Sequence, residues 1–336
     1  MAQLKGGVLG FGSVGQNLTR YINQQRTDAA QIVAACDVAQ PQLDLAAGTY
    51  GLAATPNAHE LMAMNLDFVL VVSSNHAHAD QVVMAAEAGK HIFCEKPIAL
   101  DLAEIDRALE AVDKAGVKLQ IGFNRRFDPN FKAARDMVAA GKIGDPHIVR
   151  ITSRDPAPPP IEYIKVSGGI FLDMTIHDFD MARFLINSEV EEIYAAGAVL
   201  VDPAIGEAGD IDTALITLRY ANGAIGTIDN SRRAVYGYDQ RVEVFGSEGG
   251  VVVSNNTPHK AVYSNAQGVQ SAQPLYFFLE RYMDAYVVEM QAFIEAVQQD
   301  TSPIVTGIDG RIPVTMGLAA WKSYKENRPV KLSEIN

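Results

Sequence analysis

From Gly6 to about Ile121 short apolar runs alternate with amphipathic stretches. GGVLG is followed by VGQNLTRYINQ, IVAACD, an alanine-rich helical stretch, DFVLVVSS, ADQVVMAAEAG, HIFCEK, LAEIDRALEAVDKAG and VKLQIGF. Apolar runs of strand length separated by helical periodicity predict strand–helix–strand repetition, and hence a doubly wound parallel sheet with helices on both faces. After Gly122 the texture changes. A helical run (PNFKAARDMVAAGKIG) leads to a strand, a proline cluster at Pro156 to Pro160, and a helix near Gly169–Ile186. Strand-like runs follow: ALITLRY, AIGTIDNSRR, RVEVFG and VVVSN, with turn signals at Ala221-Asn222-Gly223 and Ser247–Gly250. These predict a large, mainly antiparallel open sheet in an α+β domain. The expected division is residues 1–121 and 122–336. Two closing helices, around Arg281–Gln298 and Ile312–Lys325, fit either domain, and the last could return to the first.

Length agrees, since 336 residues exceed what one hydrophobic core usually serves. The formal charge of −12 repels phosphate backbones and anionic lipid, so neither nucleic acid nor membrane is an expected partner. Apolar runs such as Phe68–Val72 stop short of a membrane span, and no signal peptide is read at the start, which makes the cytoplasm the expected compartment. Cys36 and Cys94 lie in apolar strand-like runs, where they read as small buried hydrophobes.

Gly10-Phe11-Gly12-Ser13-Val14-Gly15 matches G-x-G-x-x-G between a strand and an amphipathic helix, with Asp37 closing the next strand-like run. Gly10 makes the tight turn, Gly12 lets backbone amides approach a diphosphate, and Gly15 lets helix and strand lie close; the helix N-terminus adds positive potential. This is the dinucleotide-binding signature of a Rossmann domain. A carboxylate at Asp37 accepts from ribose hydroxyls and repels a 2′-phosphate, and Val38, Ala39 and Gln40 offer no compensating arginine, so NAD is favoured over NADP. Ser73, Asn75 and His78 follow the fourth parallel strand and join the expected cofactor contacts. His76 and His78 have no third ligand at suitable spacing, so no metal is expected.

Oxidising an alcohol by hydride transfer needs a proton acceptor and a donor or cation for the developing alkoxide. Glu95-Lys96-Pro97 follows HIFC at a strand end, which places Glu95 at the cofactor and Lys96 beside the nicotinamide, with Pro97 restricting the lysine backbone. Asp173, His177 and Asp180 stand at i, i+4 and i+7 of the helix near Gly169–Ile186, on one face. His177, titrating near neutrality, suits reversible proton transfer.

The Glu-Lys-Pro tripeptide with the later Asp-x-x-x-His resembles the glucose-fructose oxidoreductase/inositol dehydrogenase (Gfo/Idh/MocA) superfamily. GFNRRFDP (from Gly122), TSRDP (from Thr152), SGGIFLDMTIHDFDMARF (from Ser167) and YGYDQR (from Tyr236) are similar to the myo-inositol 2-dehydrogenases within it, and the likeness spans the chain. The resemblance implies NAD-dependent oxidation of myo-inositol at its 2-hydroxyl to scyllo-inosose, the first step of inositol catabolism, in a homotetramer paired through the open face of the second sheet. It implies Lys96, Asp173 and His177 as the catalytic trio, and Arg126, Asp155, Asp180 and Tyr236 around the substrate. A pocket mixing carboxylates, ammonium, imidazole and phenol suits an uncharged polyol. A dehydrogenase of another inositol isomer or a related sugar shares the trio, and a non-catalytic NAD- and sugar-binding sensor is the third reading.

Overall fold

The computed structural model describes residues 3–25 and 28–335. The chain divides into two compact units, Met1–Asn124 with Asp284–Val314 and Arg125–Met283 with Thr315–Asn336.

In the first unit β1 (Leu4–Leu9), β2 (Ala30–Cys36), β3 (Ala53–Thr55), β4 (Phe68–Val71), β5 (His91–Glu95) and β6 (Leu119–Gly122) form one sheet in the order β3-β2-β1-β4-β5-β6. Every pairing is parallel. Strand order reverses at β1 and β4, and in such sheets the crevice beyond the strand ends at that point receives the ligand. Phe68, Val69, Leu70 and Val71 are all fully buried, as expected of a strand covered on both faces. From Asp284 onward the helix Met283–Gln298 belongs to this unit, and its buried Phe293 ring lies 5.6 Å from Phe68 and 6.0 Å from Phe93.

The last helix runs from Gly307 to Glu326 and so starts before Ile312 and carries Pro313 inside it. Asp309 supplies the start: its Oδ2 accepts from both the amide and the hydroxyl of Thr306 at 2.9 Å. Pro313 lies past the first turn of this helix, so the carbonyl of Asp309 loses the intrahelical amide it would otherwise accept from.

The second unit is built on β7 (Pro146–Arg154), β8 (Val190–Ala198), β9 (Thr213–Tyr220), β10 (Ile225–Ser231), β11 (Asp239–Gly246) and β12 (Gly250–Val253). A separate exposed hairpin, β13 (Val262–Asn265) with β14 (Gly268–Ser271), precedes the short β15 (Val330–Lys331). The large sheet runs β12-β11-β7-β10-β9-β8-β15, with β7 and β10 its only parallel neighbours. Residues alternate cleanly: Ala214, Ile216, Leu218 and Tyr220 of β9 are buried while Leu215, Thr217 and Arg219 are exposed. Helix Ile176–Ile186 packs on β7, so one face is covered and carries the core. Among the described residues no helix is long and apolar enough to cross a membrane.

Candidate active site

In the first unit Gly10 has φ +93°, a conformation L side chains rarely adopt, and a Cβ there would stand 2.5 Å from Ser73 Cα. At Gly15 a Cβ would lie 2.2 Å from Gly10 O, so the helix Ser13–Gln25 closes on the loop as the motif requires. Around Gly12 the space is open: a Cβ would meet no atom within 4 Å. Asp37 Oδ2 accepts from Phe11 N at 2.7 Å and Oδ1 from Ala39 N at 2.9 Å, so the carboxylate at the end of β2 is fixed in place. Val38 beside it is 93% exposed and leaves that edge unobstructed. An open loop at a helix N-terminus, closed from behind by glycine contacts and bounded by a fixed carboxylate, fits a dinucleotide.

Glu95 and Lys96 stand at the end of β5, at the same edge of the sheet. Burial pushes the Glu95 carboxyl up to about 7, against the pull of the Lys96 ammonium, and its Oε1 has no hydrogen-bond partner. Ser73 Oγ donates to Gln81 Oε1 at 2.8 Å, and Asn75 opens a short 3-10 turn before helix His78–Glu87. His78 departs from expectation. Its ring is buried with Nδ1 2.8 Å from Pro97 O and Nε2 3.1 Å from Ser73 O, so its polar atoms tie the loop after β4 to the loop after β5 instead of facing a cofactor. Burial lowers its pKa and favours the neutral ring, which donates to only one of the two carbonyls at a time.

In the second unit the helix near Gly169–Ile186 is broken. It forms as Gly169–Asp173 and Ile176–Ile186, joined at Met174 and Thr175. Thr175 N donates to Ile170 O at 2.9 Å, while its hydroxyl, 3.1 Å from that oxygen, donates to Asn230 Oδ1 at 2.6 Å. A wide turn with side-chain back-bonding displaces regular helix. Asp173 and Asp180 consequently serve different partners and do not share the helix face the spacing suggests. Asp173 Oδ1 accepts from Tyr163 OH at 2.8 Å and Oδ2 from Arg232 Nη1 at 3.0 Å. Arg126 grips Asp180 through Nε and Nη2 at 2.6 to 3.0 Å, both side chains buried, so these two expected substrate contacts are engaged with each other.

Between Gly169 and Arg183 every residue is buried except His177, which is partly exposed. A polar layer anchors its helix: Asp178 accepts from Arg125 Nη1 at 2.6 Å and from Asn230 Nδ2 at 2.8 Å, and Arg125 reaches Ser153 Oγ at 3.3 Å. Asp155 Oδ2 lies 3.8 Å from Arg232 Nη1. Burial drives Asp155 up to about 6, Arg232 opposes the rise and the Asp173 charge adds to it. Tyr236 is held elsewhere, its hydroxyl donating to Asp239 Oδ2 at 2.6 Å and accepting from Arg154 Nη1 at 3.1 Å. No group of three or more metal-ligating side chains occurs among the described residues.

Residues 4–123 match the family model described as an oxidoreductase family with an NAD-binding Rossmann fold, and residues 131–252 match the GFO/IDH/MocA C-terminal domain. The chain belongs to the GFO/IDH/MocA oxidoreductases. It is 51% identical to a myo-inositol 2-dehydrogenase of Thermotoga maritima over 331 residues, 98% of each chain. A crystal structure of a myo-inositol dehydrogenase from Corynebacterium glutamicum matches with TM-score 0.93 at 36% identity, covering 98% of this chain and 99% of that one. A scyllo-inositol dehydrogenase from Lactobacillus casei, solved with NAD(H) and scyllo-inositol, matches with TM-score 0.92 at 28% identity over 99% of this chain and 100% of that one. The chain is thus an NAD-dependent oxidoreductase.

Within this GFO/IDH/MocA chain, Arg232, Tyr163 and Asp210 were not selected as site residues by the sequence. Arg232 did leave a signal. It continues the inward register of Ile228 and Asn230, and a charge on a buried register demands buried partners. Tyr163 left none, because its short helix Ile161–Ile164 has no periodicity to read.

Proposed function

We propose that the chain oxidises myo-inositol at its 2-hydroxyl to scyllo-inosose with NAD, the first step of inositol catabolism in the cytoplasm. The observation that carries the chemistry is the setting of His177, the one partly exposed residue in a buried run that also holds Asp173. The substrate is carried over from the Thermotoga maritima relative, whose likeness covers nearly the whole of both chains.

The glycine loop Gly10–Gly15, with Ser13 and Val14 opening its helix, binds the diphosphate of NAD, and Asp37 accepts from the adenosine ribose. Ser73, Asn75 and Glu95 line the same sheet edge. NAD held by these residues would supply a hydride acceptor for the substrate carbon. His177 receives the hydroxyl proton, and the Lys96 ammonium stabilises the oxygen as it gains negative charge. Asp173 ends the short helix that precedes the one carrying His177. Asp155, drawn up to about 6, exchanges hydrogen bonds with ring hydroxyls as either donor or acceptor near neutrality. Arg126 and Asp180 brace this region through each other.

A homotetramer is part of the reading. The open face of the large sheet exposes Leu215 at 60%, Ile225 at 52% and Phe245 at 48%, and a groove of about 540 Å³ there is lined by Ile148, Tyr194, Thr217 and Ile225. Such a patch supports association through that face. The likeness to the Lactobacillus casei enzyme favours a second reading, in which another inositol isomer is oxidised.

The test follows nicotinamide absorbance with NAD or NADP against a panel of cyclitols and aldoses, with the ketone product identified. NAD reduction by myo-inositol with scyllo-inosose as product is the expected result. Preference for another isomer selects the second reading, and no response to any polyol overturns both.

A further inference from the structure

We propose that Tyr163, carried on the Pro156–Pro160 strap, and Arg232 are the positioning residues that fix the Asp173 carboxylate for catalysis. The inference rests on the reading of Asp173 and His177 as the proton-handling residues.

Both oxygens of Asp173 are taken by donors that flank it in sequence, one 10 residues before it and one 59 residues after it. Tyr163 OH donates to Oδ1 at 2.8 Å, and Arg232 Nη1 donates to Oδ2 at 3.0 Å. Two fixed donors on a carboxylate hold its rotamer and favour its charged form. The Arg232 side chain is 2% exposed and lies 3.8 Å from Asp155 and from Asp210. Asp210 accepts in turn from Ile170 N at 3.0 Å, at the start of the short helix that ends in Asp173. That start is tightly built, since Gly169 has φ +76° and a Cβ on it would stand 2.7 Å from Asp210 Oδ1. Arg232 therefore bonds the residue that ends this helix, Asp173, and its charge lies 3.8 Å from Asp210, which holds the helix start.

Tyr163 reaches the same carboxylate from the other direction. β7 ends beside Asp155, and the next residues are Pro156, Ala157, Pro158, Pro159 and Pro160, of which Pro160 caps the helix carrying Tyr163. Consecutive prolines form a stiff extended spacer without internal hydrogen bonds. One end of that spacer bears Asp155 on Arg232, and the other bears Tyr163 on Asp173. The strap sets the distance between two groups of one cluster, a use for the prolines that the cofactor and substrate assignments leave unfilled. The Tyr163 ring is 41% exposed, so its hydroxyl is the part that is engaged.

Tyr163→Phe removes one donor and little packing. Loss of a hydrogen bond to a carboxylate raises its pKa, so the acid limb of the kcat/KM profile is expected to move up by on the order of one pH unit. The kcat at pH 7 falls about tenfold while KM for NAD is unchanged. A strap variant, Pro158→Gly with Pro159→Gly, shifts the limb in the same direction, and Arg232→Lys, which keeps the charge but loses the fork, lowers kcat further. A Tyr163→Phe enzyme with the wild-type pH profile and kcat overturns the inference, as does a variant whose only change is a lower Tm. If the wild-type protein oxidises no polyol, the underlying reading has failed instead.

Discussion

The amide of Phe11 donates a 2.7 Å hydrogen bond to Asp37 Oδ2, so the glycine loop and the end of β2 share one carboxylate. Asp37→Ala removes both the loop's acceptor and the proposed ribose acceptor. A charged hydrogen bond contributes about 1.5–3 kcal/mol, which corresponds to NAD affinity weakened roughly ten- to hundredfold. Titration of the purified variant with NAD and NADP checks this, and the preference for NAD should narrow because the repulsion of a 2′-phosphate is gone.

Arg126 and Asp180 are buried together, which makes single removal costly. Asp180→Ala leaves a guanidinium uncompensated and should destabilise the fold by about 3–5 kcal/mol, whereas a double replacement by Met and Leu should lose much less. Urea unfolding of both variants reads the difference as a shift in midpoint at constant slope.

Glu95 gives a stability dependence of known sign. Its carboxyl is raised from 4.5 to about 7, so in that window the folded chain keeps a proton that the unfolded chain has lost. Stability from this group therefore falls as pH rises through the window and is level above it. Glu95→Gln should remove that fall, seen as a flatter difference in unfolding free energy between pH 5 and pH 7 at a fixed urea slope (~2 pH units apart).

The βαβ half was legible because its strands are buried on both faces and its helices are amphipathic, so composition and period agree at each step. The alternation of β9, β10 and β11 was legible for the opposite reason, one face being open. The break at Thr175 was not, because it depends on Asn230, which is remote in sequence and adjacent only once β10 is placed beside β7. Tertiary contacts likewise engage Asp180 with Arg126 and set the buried His78 ring between two backbone carbonyls, where spacing alone presents free polar groups. The hairpin Val262–Ser271 has exposed residues throughout and no buried alternation to reveal it. Pro313 obscured the true start of the last helix.

In the proposed reaction hydrogen leaves carbon 2 of myo-inositol. Myo-inositol carrying deuterium at that carbon, incubated with NAD and followed by mass spectrometry, tests it directly. The expected products are unlabelled scyllo-inosose and reduced cofactor carrying one deuterium. A ketone that retains the label, or reduced cofactor without it, rules out oxidation at that carbon.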